Sequence, residues 1–326
     1  MTEDVTLGGR ETVRDVLFDA ERRLALVGVP SPSVDAAEIV AHALGTTRGR
    51  LFLSDRIDAE QRIRIEKMLA RRLARVPLQH LTGVQGFRRI VMEVGPGVFI
   101  PRPETELVAE AAIRELDLQP IGQRIAVDLC TGTGAIALSL ALEVANSRVF
   151  GVELSEDAFG WAQRNVAAND EALVVAGSRV ELVNGDATVI ADSEQPLARL
   201  HGQVAVVVSN PPYIPVGMVP REPEVRDYEP KMALYGGDDG LDAVHGILRQ
   251  AALLLKPGGL VVIEHADVQG SDAGLHGVPG VAKAMLADRD LAAVTGIAHG
   301  SRVWIDVNDR IDLNGLPRFT VARRAS

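Results

Sequence analysis

Ile125-Ala126-Val127-Asp128-Leu129, then Cys130-Thr131-Gly132-Thr133-Gly134, then Ala135-Ile136-Ala137 reads as a strand, a glycine turn and the start of a helix. Glycines in such a turn let the backbone approach a ligand closely. The spacing Gly132-x-Gly134-x-x-Ala137 also satisfies a dinucleotide fingerprint, and a lone match of that kind is weak. Outward from this stretch the same pattern recurs. Residues 149–153, 180–183, 204–208 and 260–264 are short apolar runs of strand length. Helical stretches fall at 135–144, 155–168 and 239–255, with something short near Leu197. Strands that are apolar throughout, alternating with helices, predict an α/β fold with a parallel sheet covered on both faces. Residues 303–307 and 319–321 read as late strands, one of them antiparallel.

Three acids stand at the ends of the first three runs. Asp128 sits just before the turn, where a carboxylate meets a cationic group but repels a pyrophosphate. Glu153, 25 residues on, is placed for ribose hydroxyls. Asp186, in Asn184-Gly185-Asp186-Ala187, is placed for an adenine amino group. Ligands of such sheets bind beyond the carboxyl ends of the strands, and the three acids together describe a nucleoside with an aminoacyl sulfonium tail, S-adenosylmethionine. The fourth run ends in Ser209-Asn210-Pro211-Pro212-Tyr213-Ile214. Asn210 offers an acceptor and a donor in one plane. The two prolines fix φ and donate no N–H, so their carbonyls stand on a stiff turn, and Tyr213 adds a flat face. This cradle suits a planar NH2 group, whether of adenine or of an amide.

The N-terminal region reads differently. Residues 12–27 have helical spacing, Ser33 reads as the N-cap of a second helix after Pro32, and Asp58 opens a third that Pro77 stops. A small helical bundle over 1–84 is expected, then a hairpin linker at 85–104 around Gly86-Phe87, and a catalytic domain over 105–326. The connection 214–240 is long and rich in Pro, Gly and acids, the profile of a functional loop.

A chain of 326 residues is long enough for two full cores, and 47% hydrophobic with 24% charged residues argues against disorder. The single cysteine excludes an intrachain disulfide and a thiolate metal cluster, as in a reducing cytoplasm. Cys130 has no basic neighbour to activate it and reads as a small buried spacer. His80, His245, His265 and His299 lack metal-ligand spacing, so no metal site is expected. Met1-Thr2-Glu3-Asp4 opens no signal peptide, and no apolar stretch approaches the ~18 residues of a membrane span. Residues 1–100 carry 15 Lys/Arg against 13 Asp/Glu, the remainder 19 against 31. The acidic half lacks the basic stripe of a duplex-binding surface. Arg62, Arg64, Lys67, Arg71, Arg72 and Arg75 are the exception, either a solvated helix face or a docking surface for a ribosomal or factor partner.

Residues 128–137 with Asn210-Pro211-Pro212-Tyr213 resemble the class I S-adenosylmethionine-dependent methyltransferases that modify planar nitrogens. Pro77-Leu78-Gln79-His80-Leu81-Thr82-Gly83, Phe99-Ile100-Pro101-Arg102-Pro103-Glu104-Thr105-Glu106 and the stretch from Glu224-Val225-Arg226-Asp227-Tyr228-Glu229-Pro230 to Gly240 narrow the resemblance to the HemK/PrmC family of protein-(glutamine-N5) methyltransferases acting on release factors. It spans nearly the whole chain, to Asp312-Leu313-Asn314-Gly315. It implies a Rossmann-like, mostly parallel seven-stranded sheet with a small N-terminal helical domain that recognises substrate. It implies cofactor contacts from Asp128, Cys130, Thr131, Gly132, Thr133, Gly134, Glu153, Asp186, Ala187 and Asn210, with S-adenosylhomocysteine as product. It implies contacts to the substrate glutamine from Asn210, Pro211, Pro212 and Tyr213, with Asn210, Pro211 and Tyr213 carrying catalysis. The implied partners are class 1 peptide chain release factors, with no membrane and no sequence-specific nucleic-acid binding. A ribosomal-protein glutamine methyltransferase, an adenine-N6 methyltransferase and a non-catalytic cofactor-binding scaffold are the alternatives. Cys130 stands where the family has glycine, which a negative φ would accommodate. Ala187 stands where some members have an aromatic, and Glu264-His265-Ala266 departs from the usual tripeptide.

Overall fold

The computed structural model describes residues 11–54, 56–270, 280–281, 284–285 and 302–326; the first four residues and His299, read above, lie outside them. The chain divides into two compact units, Met1–Val84 with Pro220–Tyr228, and Gln85–Val219 with Glu229–Ser326.

In the first unit α1 (Val13–Leu26) opens on a reciprocal capping box between Thr12 and Asp15, which satisfies two of the helix's orphan N–H groups. The second helix, α2 (Pro32–Leu44), starts a residue earlier than expected. Pro32 is its first residue and Ser31 precedes it, so Ser33 is not the cap. Proline is pre-organised for that first position and has no N–H to leave unpaired. Asp58 and Gln61 form a second capping box at α3 (Ala59–Leu73). This helix stops before Pro77 comes into play, where Arg75 turns the chain with φ +65°. After α4 (Leu78–Thr82), Gly83 closes the turn. Val16, Leu24, Ile39, Val40, Ile65 and Leu69 form a dry core from the three long helices.

The second unit begins with a hairpin, β1 (Val84–Phe87) and β2 (Ile90–Glu93), then α5 (Thr105–Asp117). Alternation follows: β3 (Ile125–Leu129), α6 (Ala135–Glu143), β4 (Arg148–Glu153), α7 (Glu156–Ala168), α8 (Asp170–Ala176), β5 (Arg179–Asn184) and β6 (Val204–Ser209). The connection after β6 is less irregular than its composition suggests. It holds α9 (Pro223–Tyr228), which belongs to the first unit, and α10 (Lys231–Leu234). Then come α11 (Asp242–Leu254), β7 (Leu255–Glu264), β8 (Trp304–Ile311) and β9 (Pro317–Arg324). The main sheet has the order β5-β4-β3-β6-β7-β9-β8. Its first five strands are parallel, and β9 runs antiparallel to both neighbours. Alternate residues of β3 feed two cores. Val127 and Leu129 pack with Val244, Ile247 and Leu248 of α11; Ala126 packs with Val108 and Ala112 of α5 and Leu138 of α6. Burial on both faces is why these strands show no polar alternation.

The basic run of α3 is only in part a solvated face. Arg72 is buried; its Nε donates to Asp35 at 2.6 Å and its second nitrogen to Glu224 at 2.7 Å. Arg75 donates twice to Glu224, at 2.8 Å each. Arg62 pairs with Glu66, and Arg64 bonds the Ala43 carbonyl. Arg72 and Arg75 thus tie α9 to α3 within the first unit. Burial alone would raise the Glu224 pKa, but the hydrogen bonds from Arg75 and Arg72 outweigh it and hold the carboxyl at about 2. A folded pKa below the unfolded one contributes stability that is present above pH ~4.5 and lost as pH falls toward 2. Glu224→Gln is therefore expected to cost about 2 kcal/mol at neutral pH, at the lower end because Arg75 is partly solvated. Urea denaturation should show that gap shrinking below pH ~4; a gap that does not change with pH would refute the charge-based account.

Candidate active site

The parallel register sets the site at one edge of the sheet. Leu129 pairs with both Val152 and Ser209, and Glu153 with Asn184. Cys130, Glu153, Asn184 and Asn210 therefore stand on one level beyond the carboxyl ends of four adjacent strands. The chain winds from β3 outward through β4 to β5, then crosses back to β6 on the other side of β3. That reversal opens the crevice in which open α/β sheets bind ligands.

The glycine turn is shaped by left-handed backbone at Cys130 (φ +64°), Gly132 (+57°) and Gly134 (+84°). The negative φ that would accommodate Cys130 without strain is not what the turn adopts. A side chain there costs about 1 kcal/mol relative to glycine, and the surrounding turn holds it. Burial, followed by the nearby Glu153 charge, pushes its thiol pKa up, away from the thiolate that a nucleophile needs.

Asp128 is fully buried. Its Oδ2 accepts from the Thr131 hydroxyl at 2.5 Å and from the Ala137 N–H at 3.0 Å. The carboxylate thus caps α6 from the preceding strand and braces the turn, in addition to whatever cation it was read to meet. Its Oδ1 has no hydrogen-bond partner, and burial raises its pKa to about 7. Glu153 accepts from the Gly132 N–H and the Ser155 N–H, both at 2.9 Å, and burial raises its pKa as well. Each oxygen keeps a lone pair for a hydroxyl. Asp186 is exposed, held by the Thr188 N–H and hydroxyl at 2.8 and 2.7 Å. Ala187 is buried with Ile190 and Ala191. Beside Gly132 a Cβ would meet nothing within 4 Å, so the turn faces open space. A buried, unpartnered acid oxygen, an open glycine turn and two further acids at neighbouring strand ends fit a nucleoside with a cationic tail.

At the tip of β6 the Asn210 Nδ2 donates to the Thr105 hydroxyl at 3.3 Å. The turn after it is buttressed by the long 214–240 connection. Ile214 bridges Tyr235 in parallel, with Ile214 N–H to the Leu234 carbonyl at 2.8 Å and Gly236 N–H to the Ile214 carbonyl at 3.0 Å. Gln269 donates to the carbonyls of Tyr213 and Asp239, at 3.1 and 3.2 Å. Tyr213 donates its hydroxyl to Glu264 Oε1 at 3.4 Å. Glu264 is buried at the end of β7, its Oε2 lacks a well-formed hydrogen bond, and burial raises its pKa to about 7. The departure at His265-Ala266 is absorbed locally: the buried His265 ring faces Asp309 at 2.9 Å, and Gln269 accepts from the Ala266 N–H at 3.0 Å.

Arg102 forms an ion pair with buried Glu229 and lies 5.0 Å from the Phe99 ring centre. This pins the segment that leads into Thr105. Thr105, Glu264, Gln269 and Glu229 were not read as site residues. The signal available for Glu264 was the one used for Glu153, an acid closing an apolar strand; Thr105 lay inside the quoted 99–106 segment without a role.

The model of the PrmC N-terminal domain matches residues 15–83. The release factor glutamine methyltransferase of Streptomyces coelicolor is 46% identical over 94% of this chain and 96% of its own length. That of Mycolicibacterium smegmatis is 39% identical over 96% of this chain and 98% of its own length. Among solved structures, the release factor-specific protein-(glutamine-N5) methyltransferase of Alicyclobacillus acidocaldarius is 26% identical over 72% of this chain and 99% of its own, with TM-score 0.36. With identity of this order over almost the full length of its curated relatives, the chain belongs to the release factor glutamine methyltransferase family.

Proposed function

We propose that this chain transfers a methyl group from S-adenosylmethionine to the side-chain amide nitrogen of the glutamine in the Gly-Gly-Gln motif of class 1 release factors, in the cytoplasm. The observation that carries the reading is Asn210, an amide set at the switch point of the sheet with its nitrogen turned to Thr105. The turn 130–134, Asp128, Glu153, Asp186 and Ala187 would hold the cofactor. The cofactor supplies a methyl carbon made electrophilic by sulfonium sulfur. The Asn210 Oδ1 and the Pro211 carbonyl accept the two N–H bonds of the substrate amide. They aim its nitrogen along the carbon–sulfur axis and favour the positive charge that develops there. When bound, the cofactor would give up its methyl group to the amide nitrogen and depart as a neutral thioether, and one amide proton would pass to water. Pro212 holds the turn rigid, and Tyr213 covers the amide face. Fixed dipoles of this kind are worth about 3–4 kcal/mol of barrier each.

Transfer of tritiated methyl from the donor to purified release factor, ribosomal protein and DNA tests the assignment. Label is expected on the release factor, and lost when its Gly-Gly-Gln glutamine is replaced. Labelling of ribosomal protein or DNA alone would replace this reading with a rival, and labelling of none would favour a scaffold.

A further inference from the structure

We infer that Asn165 of α7 is a positioning residue that sets the shape of the cofactor turn from behind, an inference resting on the function proposed above. The turn has an open side and a backed side. Beside Gly132 a Cβ would meet nothing within 4 Å, whereas beside Gly134 it would meet the Ala162 backbone at 3.8 Å. Asn165 lies three residues further along α7 and is 1% exposed. Its Nδ2 donates to the Thr133 carbonyl at 3.1 Å and to the Glu93 carbonyl at 3.0 Å, and its Oδ1 accepts from the Glu93 N–H at 2.8 Å. Both protons of the amide are thereby used. A flipped amide would set its oxygen against two carbonyls, so these neighbours fix its orientation.

The Thr133 carbonyl needs this donor because of where α6 begins. In a continuous α-helix the N–H of residue 137 would close on the carbonyl of residue 133. Here the Ala137 N–H goes to Asp128 at 3.0 Å, which frees the carbonyl of buried Thr133. A buried carbonyl left without a donor is unfavourable. Asp128 and Asn165 thus divide between them the two halves of one helical hydrogen bond, and the turn departs from the helix at that point. Glu93 closes β2, so the same amide ties the hairpin to the turn. One helical turn earlier, Trp161 holds only the segment after β2. Its Nε1 donates to the Pro96 carbonyl at 3.1 Å, and a Cβ on Gly95 would lie 2.5 Å from its ring. Its single donor is spent there.

Asn165→Ala removes the donor to Thr133 together with the grip on Glu93, and Trp161→Phe loosens the same segment while leaving the Thr133 carbonyl paired. Calorimetric titration with S-adenosylhomocysteine is expected to give a Kd about 10-fold higher in Asn165→Ala and unchanged in Trp161→Phe. With release factor as substrate, KM for S-adenosylmethionine should rise by a similar factor while kcat at saturating donor stays within a few-fold. A merely structural Asn165 would lower the denaturation midpoint and leave Kd alone. If Asn165→Ala does not fold, Asn165→Ser, whose one hydroxyl proton cannot serve both carbonyls, takes its place. A second readout needs no ligand. The Gly134 N–H, bonded to the Thr131 carbonyl at 2.9 Å, is expected to exchange with solvent about 10-fold faster in Asn165→Ala than in wild type, and at the wild-type rate in Trp161→Phe. A Kd unchanged in Asn165→Ala, or raised equally in both variants, overturns the inference. If wild type binds neither donor nor product, the proposed function falls, and the Gly134 exchange still decides whether Asn165 holds the turn.

Discussion

Asn210→Ala is expected to lower kcat on the order of 100- to 1,000-fold while donor affinity changes only a few-fold. The substitution deletes an acceptor aimed at the substrate N–H at the moment positive charge appears on nitrogen. Such a group acts more strongly in the transition state than in the ground state, so its loss appears in kcat and kcat/KM together. The cofactor turn is independent of it. Asp128, Thr131 and Ala137 brace one another, and Glu153 holds Gly132. Single-turnover methyl transfer with donor affinity measured by calorimetry separates the two effects. A kcat near wild type would remove Asn210 from the chemistry and leave its conformation as a feature of the strand exit alone.

Gly240→Ala should be nearly as damaging. Its φ is +78°, and a Cβ there would sit 2.2 Å from the Tyr213 carbonyl oxygen and 2.7 Å from the Gln269 Nε2. The first is backbone and cannot swing aside. Gly236 presses the same turn, its Cβ position lying 2.4 Å from the Pro212 carbonyl oxygen. Alanine at 240 must therefore push the Pro212–Tyr213 backbone out of place. A displacement near 1 Å at a positioning group costs about 100-fold in rate, and the strained backbone adds about 1–3 kcal/mol of instability. Gly217→Ala, in the same connection with nothing within 4 Å of its Cβ position, is the control and should match wild type in both kcat and denaturation midpoint. Equal activity of Gly240→Ala would mean that the connection does not position the motif.

The legible features were those that the chain states locally. Alternation of apolar runs and helices marked β3 to β7 within a few residues, since burial on both faces leaves a continuous apolar signature. The turn 130–134 and the tip 209–214 were readable because glycine and proline restrict the backbone wherever they occur. Contacts between distant residues were not readable. Glu224 looks like one acid among many until Arg72 and Arg75 close on it across about 150 residues of chain. The Cys130 φ followed from the turn as a whole, which a substitution pattern at one position does not reveal. Ser33 reads as a cap from residue type alone, whereas Pro32 itself occupies the first turn of α2.

By itself, then, the sequence determined the α/β alternation, the edge of the sheet on which the candidate site stands, and the residue types suited to a sulfonium nucleoside and a planar NH2 group. These follow from period, backbone restriction and side-chain chemistry, all properties of short stretches. Tertiary structure alone decided that Asp128 braces its own turn, that Gly236 and Gly240 press on Pro212 and Tyr213, and that the Asn210 amide meets Thr105. Contacts of this kind exist only once strand and helix ends from distant parts of the chain meet.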